Sequence, residues 1–466
     1  MNLRATSLAF LPICLLLTGC PLTDHYQLQQ EGSAAVNAGG SSGGGGEMII
    51  ADAGELAIGG APSLGGGAGG VGVPSDAGGA AGSVETAGSS GGPSVCANTC
   101  NAPRNCVSSS CESGWVEMGT PPSMLVARSK AASVAIDKAV FVWGGQDNAG
   151  AALANGAIYY PATDTWKFLP LDAGSPSARI MATAVWTGSA SNKVIVFGGT
   201  DVAGGMVYRD GAVYDVTENS WMALPVNMMV SRRSAPYGYW DGARAVFFGG
   251  LNGAMSVAGA DRFDFKTWSI STKNGDPGLI GFPATAFDGT VMYLQGGVIG
   301  PARQDKVYSY TSSTDTWASL SKSLSVRTGA FGAWDGTHFV VWGGQDDDGL
   351  RNDGKAMSGM TWSDMSASNV LSARRIAFRR SGWAFQAKPG VTAIIGGQTS
   401  TSGNGETLAI DGATYAVATG EWTAIPSWPS DETHEYGIGV WTGEEFVVWG
   451  GRHQNVSTLK GERWAP

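Results

Sequence analysis

The chain has 466 residues, a formal net charge of −10 and a pI of about 4.9. This acidic balance argues against binding of nucleic acids or other polyanions through bulk charge. The four histidines show no metal-ligand spacing and every cysteine precedes residue 112, so we expect neither a metal site nor a cofactor.

Residues 1–19 read as a signal peptide, because Arg4 is followed by an apolar run too short to span a membrane. The run ends in "LTGC", which resembles the lipobox of bacterial lipoproteins. The resemblance implies cleavage before Cys20 and acylation of that cysteine. Pro21 stands where an inner-membrane retention signal has Asp, which implies the outer membrane of a Gram-negative bacterium, facing the periplasm or the cell surface. The alternative is an ordinary signal with a chance cysteine.

Residues 20–95 are rich in Gly, Ala and Ser and predict a disordered tether. Residues 31–95 contain 22 glycines and no lysine, arginine or aromatic residue, so they cannot form a core. A short cysteine-rich segment, 96–111, follows the tether. Its even number of cysteines in an exported chain predicts two disulfide bonds, with three pairings open; zinc is the alternative, although the spacings fit no familiar zinc ribbon. These cysteines are Cys96, Cys100, Cys106 and Cys111.

Residues 112–466 contain a repeat marked by apolar runs that end in two glycines. The runs lack alternation and therefore predict strands buried on both faces, and the glycines suit positive φ or close packing at the strand ends. "DG" and "TG" pairs before most runs predict hairpins. The chain is therefore expected to be all-β. The seven pairs are Gly144 and Gly145, Gly198 and Gly199, Gly249 and Gly250, Gly296 and Gly297, Gly343 and Gly344, Gly396 and Gly397, and Gly450 and Gly451.

Two further markers keep step with the diglycines. An aromatic residue and then a tryptophan usually follow each pair, and an arginine precedes most runs. Together they look like the kelch repeat, which implies a seven-bladed β-propeller with four strands in each blade. The arginines are Arg128, Arg179, Arg233, Arg327 and Arg374, with Ile280 near the position in the fourth unit and His434 at it in the seventh. The tryptophans are Trp115, Trp166, Trp221, Trp268, Trp317, Trp362 and Trp422.

The last unit lacks a fourth strand, because Trp464 aligns with the third-strand aromatic Tyr159. An unpaired stretch around Trp115 resembles the fourth strands of other units and precedes Arg128 by the interval that separates Trp166 from Arg179. We therefore expect this N-terminal segment to complete the last blade, which removes the open sheet edges.

The arginines and His434 all precede the first strand of a unit, so they lie at one end of the propeller. One interpretation is a cationic ring that binds carboxylate or sulfate groups through bidentate contacts. The other is structural, with each arginine donating hydrogen bonds to carbonyl groups of an adjacent blade.

The sequence therefore favours a monomeric, non-enzymatic, membrane-tethered module that binds a protein or a glycan. The alternative is a carbohydrate-active enzyme, since sialidases and sialate mutarotases are also propellers. The one dense acid/base cluster is "SDETHE", residues 430–435, with Glu432 and Glu435 as candidate groups. The acidic stretch "QDDDGLRND", residues 345–353, is expected to be a solvated loop rather than a calcium site.

Overall fold

The computed structural model describes residues 105–107, 110–112, 114–271, 275–322, 324–376, 382–399, 407–430 and 432–466. The signal peptide, the tether, Cys20, Cys96 and Cys100 lie outside the described residues.

Seven four-stranded antiparallel sheets form the blades of a β-propeller, so the predicted fold class is confirmed. In each blade the first strand in the order below is the innermost. Blades 1 to 3 consist of Ala132–Ile136, Ala139–Trp143, Gly156–Tyr160 and Thr165–Phe168; Thr183–Trp186, Lys193–Phe197, Gly211–Asp215 and Ser220–Ala223; and Tyr237–Trp240, Ala245–Phe248, Ala260–Phe263 and Trp268–Ile270.

Blades 4 to 7 repeat the same order of strands. Blades 4 and 5 consist of Ala284–Phe287, Val291–Gln295, Val307–Thr311 and Thr316–Leu320; and Phe331–Trp334, Phe339–Trp342, Gly354–Ser358 and Thr361–Met365. Blades 6 and 7 consist of Gly382–Lys388, Val391–Gly396, Gly412–Ala416 and Glu421–Ile425; and Ile438–Trp441, Phe446–Trp449, Gly461–Ala465 and Gly114–Glu117.

Shorter elements occupy the connections. Among the described residues, four blades carry a small hairpin between their second and third strands: Leu251–Asn252 with Met255–Ser256, Val298–Ile299 with Ala302–Arg303, Gln345–Asp346 with Gly349–Leu350, and Arg452–His453 with Val456–Ser457. The helical element of the described residues is the 3-10 segment Pro161–Thr163. Within the described part of the chain, no helix is long and apolar enough to cross a membrane.

The N-terminal strand closes the propeller as the sequence predicts. Gly114–Glu117 pairs with Gly461–Ala465 as the outermost strand of blade 7, with Trp115 opposite Trp464. The Trp115 indole donates a 2.7 Å hydrogen bond to the carbonyl of Pro426 in blade 6 and lies edge-on to Trp428, with the ring centroids 5.6 Å apart. The two ends of the propeller chain therefore share one sheet.

The diglycines lie at the boundaries between neighbouring blades. All fourteen have positive φ, which L side chains rarely adopt, so the glycine requirement is one of backbone conformation. In five blades the N–H of the second glycine donates to the carbonyl of the arginine-position residue of the next blade. These bonds run from Gly145 to Arg179, Gly199 to Arg233, Gly297 to Arg327, Gly344 to Arg374 and, across the closure, Gly451 to Arg128.

Blade 6 differs from the other blades at its diglycine. The strand Val391–Gly396 includes the first glycine, because Gly396 pairs with Gly382 in a longer hairpin. Only Gly397 lies beyond the strand end. It has a φ of 99°, and a Cβ atom added to it would lie 2.8 Å from Cζ of Phe331 in blade 5. Both backbone conformation and close packing therefore require glycine at this position.

The carbonyl of the second glycine has an equivalent partner in every blade. It accepts a 2.8–3.0 Å hydrogen bond from a backbone N–H of the segment that leads to the third strand. The seven bonds thus fix the same turn after each second strand, including blades 3 and 6. The acceptors and donors are Gly145 and Leu153, Gly199 and Tyr208, Gly250 and Val257, Gly297 and Gln304, Gly344 and Arg351, Gly397 and Ala409, and Gly451 and Thr458.

Aromatic side chains make a second seam further out. In five blades the indole N–H of the fourth-strand tryptophan donates to a carbonyl just after the fourth strand of the preceding blade. These bonds join Trp115 to Pro426, Trp221 to Pro170, Trp268 to Pro225, Trp362 to Ser321 and Trp422 to Ser366. Each indole therefore satisfies its polar atom across a blade boundary, which fixes the register between neighbours.

A separate hairpin, Asn105–Val107 with Ser110–Glu112, sets Cys106 opposite Cys111. The sequence predicts two disulfide bonds among the four cysteines, with the three pairings open. Alkylation before and after reduction should find four protected thiols, and four free thiols with bound zinc would contradict the prediction.

Candidate functional site at the channel mouth

The five arginines are buried, each with 1% exposure, and they bind their own blades. In every case Nη1 donates to the carbonyl of the first glycine of the same blade: Arg128 to Gly144, Arg179 to Gly198, Arg233 to Gly249, Arg327 to Gly343 and Arg374 to Gly396, at 2.7–3.1 Å. The structural interpretation expected bonds to an adjacent blade. The guanidinium groups instead join strands within one blade, and the backbone carbonyls of the same arginines make the contact between blades.

Four of the five arginines also pair with a carboxylate that lies beside the start of the third strand of the same blade. Oxygen atoms of Asp210, Asp261, Asp353 and Asp411 lie 2.7–3.2 Å from the guanidinium groups of Arg179, Arg233, Arg327 and Arg374, respectively. The sequence reading missed these acids, although three of them stand in "DG" pairs at Asp210, Asp353 and Asp411. The arginines are therefore committed to internal partners, and a carboxylate ligand would have to displace those bonds.

His434 takes the arginine position in blade 7 and is fully buried. One ring nitrogen, Nδ1, lies 2.6 Å from the carbonyl oxygen of Gly450, and the other, Nε2, lies 2.7 Å from Oε2 of Glu462. Ser430 donates its hydroxyl hydrogen bond to the other oxygen of the same carboxylate. Ser430 and His434 both bind the carboxylate of Glu462. A serine nucleophile activated by histidine would instead donate its hydroxyl hydrogen to the imidazole, so these contacts are structural.

Blade 1 differs from its neighbours because an amide replaces the carboxylate. Arg128 Nη2 donates to Oδ1 of Asn155, 3.1 Å away. Burial lowers the pKa of Arg128 to about 10, and the more distant Asp147 offsets this only in part. The side chain is still protonated at neutral pH, so its charge is buried there at a cost in folding free energy.

Asn155→Asp should therefore stabilise the propeller. The new carboxylate would reproduce the pairs of blades 2, 5 and 6 and raise the free energy of unfolding by about 1 kcal/mol. The folded-state pKa of Arg128 lies below its value in the unfolded chain. The cost of its buried charge is thus present at neutral pH and falls as pH rises through about 10, and the benefit of the substitution should fall with it. Urea unfolding at two pH values would measure this; an unchanged midpoint at neutral pH would contradict it.

A circle of residues, here called the mouth ring, precedes the innermost strands, and each of its members lies two positions after an arginine-position residue. It comprises Lys130, Met181, Ala235, Phe282, Gly329, Ile376 and Tyr436. Six of the seven, all except Ile376, have left-handed φ between 51° and 63°, an uncommon conformation for residues other than glycine. Five backbone hydrogen bonds run around the circle, from Lys130 to Tyr436, Met181 to Lys130, Ala235 to Met181, Gly329 to Phe282 and Ile376 to Gly329.

The mouth ring surrounds a cavity of about 510 Å³ lined by the first halves of the innermost strands. Small residues such as Ser133, Gly238 and Gly332 leave this space, and Lys130 is the one charged side chain in its described lining. The lining stops short of the bulky residues at the far ends of these strands, among them Trp186 and Trp334. The volume lies within the range of small-molecule sites.

The rim of the mouth has a polar half and a more apolar half. Over blades 5, 6, 7 and 1, Arg375 donates to Gln398 and Gln345, while Lys130 and Arg452 both donate to Oε1 of Gln146. Over blades 2, 3 and 4 the corresponding rim positions include the apolar residues Ile180, Met181, Leu251, Phe282 and Val298 and the polar residues Thr200 and Ser234. A ligand that covers the mouth therefore meets different chemistry on its two sides.

The end of the propeller that carries the mouth ring is here called the mouth face. It includes the loops between second and third strands and those that lead from one blade to the next. Twelve of the fourteen exposed large apolar side chains in the described residues lie there: Met124, Val126, Leu171, Val202, Met206, Val226, Met228, Met229, Met255, Leu279, Val370 and Val456. The other two, Met222 and Met360, lie on an outer strand and in a turn at the opposite end.

The acidic candidates have internal partners. Burial opposes ionisation of Glu432, but hydrogen bonds from Thr458 and Lys460 outweigh it and lower its pKa. Its carboxylate lies 3.0 Å from Lys460 Nζ. In the loop 345–353, Asp346 pairs with Arg351, and the described residues contain no cluster of three potential metal ligands.

The blade seams, the buried arginines and the diglycines together define a kelch-type seven-bladed β-propeller. Residues 130–329 match the family model described as the KLHDC2/KLHL20/DRC7 Kelch-repeats domain. The match begins in the mouth ring of blade 1 and ends in that of blade 5. No curated protein matches the sequence. A kelch propeller supports a role as a protein-interaction module in general.

Proposed function

We propose that this chain is an exported, membrane-tethered kelch propeller that binds a partner protein through the mouth face. The observation that carries the proposal is the placement of exposed apolar side chains, twelve of fourteen on one face. Exposed apolar side chains that gather on one face of a soluble protein indicate a binding surface more strongly than scattered ones do. The opposite end is joined mostly by short hairpins and carries Met360 alone among these side chains.

The backbone of the mouth supports the same role. Non-glycine residues with left-handed φ persist only where surrounding structure enforces them, and such residues concentrate at functional sites. Here the circle of hydrogen bonds enforces them at the entrance to the cavity. A rigid rim lowers the entropy that binding must offset, because little of it has to be ordered when the partner arrives.

Acylation at Cys20 would attach this module to a membrane through the tether. About 75 residues of flexible chain give a root-mean-square reach of roughly 45–50 Å. That reach would carry the propeller clear of an outer-membrane surface and leave the mouth face accessible.

Cys20→Ser should release the protein from the membrane fraction. Several acyl chains anchor stably whereas one alone is marginal, and the substitution removes the thiol that acylation requires. We expect the variant in the soluble fraction without detergent and the unchanged chain in the membrane fraction. Fractionation followed by immunoblotting measures this, with Cys14→Ser as the matched control inside the signal peptide. Membrane retention of the Cys20 variant would contradict lipid anchoring.

Photocrosslinking tests the binding face. A photoreactive amino acid placed at Met124 or Val456, both exposed on the mouth face, should form adducts with a cell-envelope protein. The same amino acid at Met360, on the opposite end, is the matched control. Adducts from Met360 alone would overturn the proposal. Binding to a glycan array with no protein adduct from either face would replace the protein partner by a glycan.

A further inference from the structure

One sector of the mouth face, over blades 2 and 3, carries a concentration of exposed apolar side chains that we call the methionine surface. It consists of Val202, Met206, Val226, Met228, Met229 and Met255, with exposures of 40, 54, 82, 70, 76 and 66%. Methionine side chains are flexible and polarisable, and they are over-used at surfaces that accept a partner by repacking.

The loops that carry this surface are bound to one another. Arg209 donates to the carbonyl of Met228, and Arg232 donates to the carbonyl of Val207. The Asn227 side chain accepts a 2.9 Å hydrogen bond from the N–H of Met229. The backbone is therefore fixed while the methionine side chains above it remain free to adapt.

Arg209 and Arg232 also give the surface its charge. Neither forms a salt bridge with a carboxylate of the described residues, whereas Arg179 and Arg233 beside them do. The neighbouring acids are already occupied: Asp210 pairs with Arg179, and Asp201 accepts from the N–H of Met206. Two arginines without carboxylate partners thus flank an apolar surface on a chain of net charge −10.

We propose that the methionine surface docks a peptide segment of the partner that combines apolar side chains with acidic ones; this rests on the proposed function. Carboxylates on the segment would pair with Arg209 and Arg232, and its apolar side chains would cover the methionines. Symmetric contact with a second copy would place like charges together.

The test uses the full chain and two labelled synthetic peptides of equal length, one of alternating leucine and glutamate and one with lysine in place of glutamate. Fluorescence anisotropy should show binding of the acidic peptide only, weakening as salt is added. Met228→Ser together with Met229→Ser should weaken it about tenfold, as loss of a central apolar contact does. Arg232→Gln should weaken it and flatten its salt dependence.

Met124→Ser is the matched control, because Met124 is also exposed on the mouth face but lies between blades 7 and 1. Melting curves confirm that each variant is folded. Unchanged affinity of the double methionine variant, or equal binding of both peptides, would overturn the proposal. Loss with Met124→Ser but not with the double variant would overturn it and leave the proposed function standing. Binding to anionic phospholipid vesicles instead of the acidic peptide would also overturn it.

Discussion

A chain that begins at Ser123 should unfold at a much lower urea concentration than the full chain. It lacks the outermost strand of blade 7 and with it the Trp115 side chain, which is 9% exposed and packs against Trp428, Phe446 and Trp464. Loss of a large buried aromatic side chain alone costs about 3–5 kcal/mol. The deletion also exposes the edge of Gly461–Ala465, so we expect a loss at or above that range.

Trp115→Ala in the full chain keeps this test decisive if the shortened chain fails to fold. It retains the strand and should lose about 3–5 kcal/mol, measured by urea unfolding. Removal of residues 21–95 is the control, because the tether has too few apolar residues to contribute a core, and its midpoint should match that of the full chain. Equal stability of the full chain and the chain from Ser123 would contradict closure by the N-terminal strand.

The closure could be predicted because it depends on position along the chain. The interval from Trp115 to Arg128 equals that from Trp166 to Arg179, and a repeat of fixed length turns such an interval into a place in the sheet. The diglycines were predictable for a similar reason, since only glycine adopts positive φ at two successive positions without strain. The spacing of the repeat therefore predicts which positions close the sheet and which need a special backbone conformation.

The side-chain roles could not be predicted in the same way. A repeat shows that Arg128 and its equivalents lie at one end, but it does not show whether their guanidinium groups face solvent or a carbonyl. The acids at Asp210 and Asp353 decide this, and as "DG" pairs they look like ordinary turn signals. The exposure of Met228 and Met229 could not be predicted either, since methionine is usually a core residue.

Arg233→Met should be the most destabilising single change among the arginine positions. Arg233 and Asp261 are 1% and 0% exposed and lie 2.7 Å apart. Removing the guanidinium leaves a buried carboxylate without a counter-charge, and breaking such a pair costs about 3–5 kcal/mol. The carbonyls of Gly249, Ala258 and Gly259 would also lose their donor. Urea unfolding measures the loss.

Arg327→Met is the matched control, because its partner Asp353 is 42% exposed and can be solvated by water once the arginine is gone. It should lose clearly less stability than Arg233→Met. Adding Asp261→Asn to Arg233→Met should recover part of the loss, since the orphaned charge disappears.

Arg233→Lys and Arg327→Lys keep the charge but lose the fork geometry, so they should lower the melting temperature and leave partner affinity unchanged. If the folded Arg327→Lys variant bound its partner more weakly without any loss of stability, these arginines would instead contact the ligand.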